Sequence, residues 1–172
     1  VARHPALGAC RADIEAAFAL LARAFAAGGK LLVCGNGGSA ADADHIVGEL
    51  MKGFRKARRP AGDTAARLRA ADPDLGPRLA ARLQTGLAAV NLAAGSALPT
   101  AFANDEDPGL VFAQQVLGLG RPGDALLGIS TSGNAANVNA ALVTARAVGM
   151  AVVGLTGASG GAMRGRCDVL VA

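Results

Sequence analysis

The chain has 172 residues, 52% of them hydrophobic and 17% charged, with a formal net charge of +4. This predicts a single globular domain with a sizeable core and excludes a disordered chain; no apolar run is long and charge-free enough to span a bilayer. Three cysteines, Cys10, Cys34 and Cys167, are odd in number and widely spaced, which excludes a disulfide framework or zinc knuckle and predicts a reducing, cytoplasmic setting.

The first stretch, VARHPALGACRADIEAAF, has no apolar core before a cleavage site, so no signal peptide is expected. Ile14 to Ala27 reads as a helix stopped by Gly28-Gly29. Lys30 to Cys34 reads as a short apolar strand, and Ser39 to about Phe54 as a helix. Between residues 57 and 86 the chain turns rich in Ala, Arg and Pro and lacks strand signals. It reads as a surface insertion with a short helix over Leu75 to Leu83, carried within a single domain spanning residues 1–172. Leu87 to Leu92 is a candidate strand. Pro108 to Leu119 reads as a helix closed by Gly120, Ala125 to Ile129 as a strand, Asn134 to Val148 as a helix stopped by Gly149, Ala151 to Leu155 as a strand, and Val169 to Val171 as the start of a last one. Apolar strands alternating with helices predict an α/β fold, a parallel sheet covered on both faces.

Three strands run into small-residue turns that open helices or loops: LLVC-GNGGS, ALLGI-STSGN and VVGLTG-ASGG. Ligands of an open parallel sheet bind outside the carboxyl ends of its strands. Free N–H groups at a helix N-terminus attract anions, and Ser and Thr hydroxyls add donors suited to phosphate oxygens. A plainer role for Ser39 is as an N-cap, with Asp42 completing a capping box. That does not account for Ser130, Thr131 and Ser132 in a row after a buried strand. Gly35-x-Gly37-x-x-Ala40 fits a relaxed dinucleotide fingerprint, but no acidic residue ends a second strand about twenty residues on, and no Gly-Lys-Ser/Thr makes a P-loop. The ligand expected is a small phosphorylated molecule, not a nucleotide.

His45 and Glu49 are four residues apart and share a helix face beyond the first turn. Such a pair can ligate zinc or simply decorate a surface. Lys52, Arg55, Lys56, Arg58 and Arg59 form a basic cluster. With no Trp or Tyr for base stacking it reads as a solvated loop, from which an Arg could still reach an anionic ligand, and nucleic acid is not an expected partner.

GNGGSAADADHIVGEL and LLGISTSGNAANV resemble the two signature segments of the sugar-isomerase (SIS) domain family, and within it those of the phosphoheptose isomerases. The resemblance implies a three-layer αβα sandwich around a five-stranded parallel sheet, assembled as a homotetramer with sites between subunits. It implies an isomerase interconverting sedoheptulose 7-phosphate and D-glycero-D-manno-heptose 7-phosphate through an enediolate. By the same resemblance the phosphate or sugar is bound by Asn36, Gly37, Gly38, Ser39, Asn104, Asp105, Ser130, Thr131, Ser132 and Asn134. Glu49 is then the catalytic acid/base, and His45 and Glu49 are metal ligands in zinc-binding members. Three departures stand out. Ala135 occupies a position where the family often has serine, residues 57–86 lengthen a segment near the site, and the family's final helix, with a histidine and a glutamine, would lie beyond Ala172. A second reading is a non-catalytic relative that binds a phosphosugar or, as a scaffold, a replication initiator.

Overall fold

A computed structural model describes residues 4–172. Five short segments become strands: β1 Leu31–Gly35, β2 Ala89–Asn91, β3 Ala125–Ser130, β4 Ala151–Thr156 and β5 Val169–Val171. They form one sheet in the order β2-β1-β3-β4-β5, with every neighbouring pair parallel. Parallel strands need crossovers, and the helices supply them. These are α1 Arg11–Ala26, α2 Gly38–Met51, α3 Gly62–Ala71, α4 Gly76–Arg82, α5 Ala97–Asp105, α6 Val111–Leu119 and α7 Ala136–Ala147. Among the described residues no helix is long and apolar enough to cross a membrane.

Strand alternation assigns the two cores. Leu31 and Val33 of β1 join Leu127 and Ile129 of β3 under α1 and α2, where Leu20 and Ala43 meet them. Leu32, Cys34 and Leu126 face the other way and pack with Val116 of α6 and Val138 and Leu142 of α7. The sheet is therefore buried on both faces, which is why its strands read as unbroken apolar runs. Burial pushes the Cys34 thiol up to about 12.

At the edge where the strands begin, Asp124 ties β1 to β3. Its carboxylate accepts from the Lys30 N–H and the Arg121 N–H, both at 2.9 Å, and from the Lys30 ammonium. Burial alone would raise its pKa, but these donors prevail and hold it below the usual carboxylate value. A carboxylate depressed in the native state stabilises the fold above its unfolded pKa, and that gain is lost as pH falls through the native value. Asp124→Ala leaves two backbone donors without their acceptor and is expected to cost about 3 kcal/mol at pH 7. Thermal melts should show the gap to the parent narrowing below about pH 4.

Three segments depart from the sequence expectation. Residues 57–86 form two helices, α3 and α4, where only the second was expected. Ala and Arg favour helix there, but Ala65 is the one buried residue of α3, so no apolar stripe marks it. The α3–α4 turn is held by Asp72 Oδ1, which accepts from the Asp74 and Leu75 N–H groups. Helix α5 was not foreseen either, and none of its residues is buried. Pro108 to Leu119 is not one α-helix: Pro108–Leu110 is a 3-10 turn that leads into α6. The basic cluster is partly structural. Arg58 donates to the Leu50 and Thr85 carbonyls, and Arg59 to that of Arg82, tying the ends of the segment together.

Candidate functional site

Strand order reverses between β1 and β3: the chain steps from β1 outward to β2, then back past β1 to β3 and on to β4 and β5. The crevice above such a reversal is where ligands bind in open parallel sheets. The two polar turns leave these two strands.

The first turn, Asn36 to Gly38, folds α2 sharply back on β1. A Cβ on Gly35 would lie 2.7 Å from the Ser39 Cβ, so the close approach requires glycine. The N-cap is Gly37, with φ 54°, and no side chain caps the helix. Ser39 lies inside α2, its N–H donating to the Asn36 carbonyl at 3.0 Å. The expected capping box of Ser39 and Asp42 is therefore not formed: the turn closes through the backbone, two residues too early for Ser39 to be the cap. Ser39 instead lines the crevice.

The second turn begins at Ser130, only 6% exposed, and continues through Thr131 and Ser132. Gly133 has φ 69°, and a Cβ there would lie 2.2 Å from the Gly160 carbonyl oxygen. The second turn is thus seated against the third. The N-cap of α7, Ala135, has no side chain to cap the helix, and inside the first turn Asn137 Oδ1 accepts from the Val138 N–H at 2.9 Å. At α2 the Ser39 and Ala40 N–H groups bond back to the Asn36 and Gly37 carbonyls. The two turns thus bring hydroxyl and amide side chains together beside two helix N-termini, whose dipoles favour an anion.

The place is a cavity of about 160 Å³. Asn36 and Ser39 line it from the first turn; Ser130, Thr131, Ser132 and Ala135 line it from the second. Among the described residues no ionisable side chain lines it, so amide and hydroxyl donors would bind a phosphate. An adjoining cavity of about 250 Å³ shares Ser39 and Thr131 and adds Asp42, Leu155, Thr156 and Gly157.

Residues not singled out in the sequence brace the cradle. Asn137 and Asn36 exchange amide hydrogen bonds, each 2.9 Å, across the crevice. Asn139 is buried; its Nδ2 donates to the Gly133 and Ala135 carbonyls at 3.0 Å, and its Oδ1 accepts from Arg166 at 2.7 Å. The Gly157 N–H donates to the Thr131 carbonyl at 3.0 Å. Two asparagines in the first turns of α7 were the available signal, since Asn is a poor helix former and needs a reason to be there.

Other expected residues sit elsewhere. Asn134 accepts from the Ala162 N–H at 2.9 Å, so its side chain serves the third turn and not the cavity. Gly37 and Gly38 shape the first turn without lining the cavity. Asn104 donates to Asp105 at 2.8 Å, and Asp105 lines a separate cavity with Glu106 and Gln114. Within one chain these two are not brought to the turns.

His45 is exposed on α2, and Glu49, one turn on, is half-buried. The Glu49 Oε2 atom is buried with no hydrogen-bond partner among the described residues. Neither residue lines the two cavities. They offer two zinc donors where a tetrahedral site takes four, and among the described residues no group of three or more His, Cys, Asp or Glu could hold a metal. The described residues of one chain do not fit zinc.

The family model for the SIS domain matches residues 7–70 and 77–157. A phosphoheptose isomerase from Roseiflexus sp. is 45% identical over 145 residues, covering 84% of this chain and 60% of that protein. Among solved structures, a phosphoheptose isomerase from Francisella tularensis superposes with a TM-score of 0.74 at 30% identity, covering 94% of this chain and 72% of that one. One from Neisseria gonorrhoeae gives 0.69 at 37% identity, covering 92% and 70%. The chain spans 60–66% of the length of three curated relatives that it matches.

Proposed function

The chain belongs to the SIS domain family, and on that premise we propose that it is the phosphosugar-binding core of an aldose–ketose isomerase acting on sedoheptulose 7-phosphate and D-glycero-D-manno-heptose 7-phosphate. The observation that carries this reading is the convergence of two hydroxyl-bearing turns, each opening a helix, on one small cavity. The relatives named phosphoheptose isomerase support the choice of sugar. In this reading the cradle holds the phosphate, and its binding energy positions the carbonyl end for reaction. A base takes the C1 proton of the ketose, giving an enediolate, and returns it to C2, while the hydroxyl proton passes from O1 to O2. Glu49 is the proposed carrier.

Glu49 lies ten residues beyond Ser39, ~15 Å along the helix axis. A substrate whose phosphate sits by Ser39 meets Glu49 if the sugar runs alongside α2, or if Glu49 serves a neighbouring copy's cradle. Assembly is part of the proposal. Phe18 on α1 is 74% exposed and Val143 on α7 is 54% exposed, apolar surface suited to contact between copies. Light scattering is expected to show a homotetramer, and a monomer at micromolar concentration would overturn this. Zinc enters the proposal only if assembly brings further donors to His45 and Glu49, which metal analysis of the purified protein checks. The three free cysteines support a reducing, cytoplasmic setting.

One observation favours the second reading, a module that binds phosphosugar, or an initiator protein, without turnover: Glu49 does not line the cradle cavities of its own chain. The deciding experiment incubates the protein with sedoheptulose 7-phosphate and follows aldose formation by NMR. Appearance of the heptose supports the isomerase; binding without conversion supports the module.

A further inference from the structure

Thr156 ends β4 directly beside Ser130, its register partner on β3. Its Oγ1 is buried and has no hydrogen-bond partner among the described residues. A buried hydroxyl left unpaired is destabilising, so a native site that carries one calls for something to satisfy it. Valine has the same shape and an equal fit to a strand, so what threonine adds here is the hydroxyl alone.

Thr156 lines the cavity of about 250 Å³, which adjoins the phosphate cradle through Ser39 and Thr131. Asp42 lines it too. On α2, Asp42 is one turn beyond Ser39, ~4.5 Å along the axis, and it shares a helix strip with Glu49 seven residues on. The second cavity therefore lies on the way from the cradle toward Glu49, walled by one carboxylate, three hydroxyl side chains and the apolar Ile129 and Leu155. Several hydroxyls on a short carbon chain suit that lining.

We infer that this cavity takes the hydroxylated carbons next to the phosphate ester, and that Thr156 is a specificity-determining residue whose hydroxyl pairs with one of theirs. This rests on the phosphosugar reading above. It makes the cavity a gauge of how the chain between phosphate and carbonyl is hydroxylated, separate from the cradle that reads the phosphate.

Thr156→Val tests it by isothermal titration with two probes, sedoheptulose 7-phosphate and inorganic phosphate. The variant is expected to bind the sugar phosphate about tenfold more weakly and inorganic phosphate equally well. Thr156→Ser should recover most of the loss. The melting temperature of the valine variant should match or exceed the parent's, because the hydroxyl has no partner to lose among the described residues. Unchanged affinity for the sugar phosphate overturns the inference while leaving the cradle standing. So does an equal loss for both probes, which would mark a structural role or a hydroxyl serving a water in the cradle. A parent protein that binds neither probe overturns the phosphosugar reading, and this inference with it.

Discussion

Glu49→Gln is expected to lower isomerase turnover by at least ~10²-fold, the usual contribution of a positioned acid/base, with sedoheptulose 7-phosphate affinity nearly intact. The substitution keeps the size and planarity of the side chain and removes only its ability to take a proton. Fold stability should change little, since the buried Oε2 has no partner to lose among the described residues. Full turnover in the variant would show that Glu49 is not the base. Where Glu49 acts can be read from the same variant. Mixed with a second impaired variant, Ser130→Ala with Ser132→Ala, and assayed at substrate too dilute to fill its weakened cradle, it should form hybrid oligomers. If Glu49 serves a neighbour's cradle, some hybrids pair an intact Glu49 with an intact cradle, and part of the activity returns. If each chain serves itself, the two defects stay in separate complete sites: the Glu49 variant keeps a dead base, the serine variant keeps a weak cradle, and mixing restores nothing.

The layers and the cradle could be read in the sequence because each rests on a local pattern. Unbroken runs such as Ala125 to Ile129 are what a sheet covered on both faces produces, and the serine and threonine run after β3 had no structural use that a cap alone would explain. What the sequence did not disclose is held by contacts with no periodic mark. Helices α3 and α5 bury almost nothing, so neither carries an apolar stripe. The Asn36–Asn137 pair joins residues 101 positions apart, a contact set by the β1–β3 pairing and not by either turn. The capping box failed at Ser39 for the same kind of reason: with Gly35 packed closely on the helix start, α2 is capped two residues earlier, at Gly37, which backbone geometry decides and residue types do not. Asn104 and Asp105 were expected at the sugar on resemblance alone, and in one chain Asp105 lines a different cavity while Asn104 donates to it.

Replacing both Ser130 and Ser132 with Ala is expected to weaken sedoheptulose 7-phosphate binding by roughly 2–3 kcal/mol, at about one hydrogen bond to a charged group for each serine. Ser130 is buried at the floor of the cavity, and its hydroxyl makes no hydrogen bond within the described protein, so its proton is free for a phosphate oxygen. Ser132 accepts from the Asn134 N–H at 3.2 Å, which leaves its own O–H to donate outward. Both therefore offer donors aimed at one anion without first giving up a protein contact. The turn itself should persist in the double variant, because it is closed by the backbone bond from Gly133 to the Ser130 carbonyl and by the Asn139 side chain. Melting temperature should fall little, and that separates a lost ligand contact from a lost fold. Inorganic phosphate should lose affinity in step with the sugar phosphate, the opposite of the split expected for Thr156→Val, because these two serines meet the part that both ligands share. Unchanged affinity for both ligands by calorimetry would place the phosphate somewhere other than the crevice between β1 and β3.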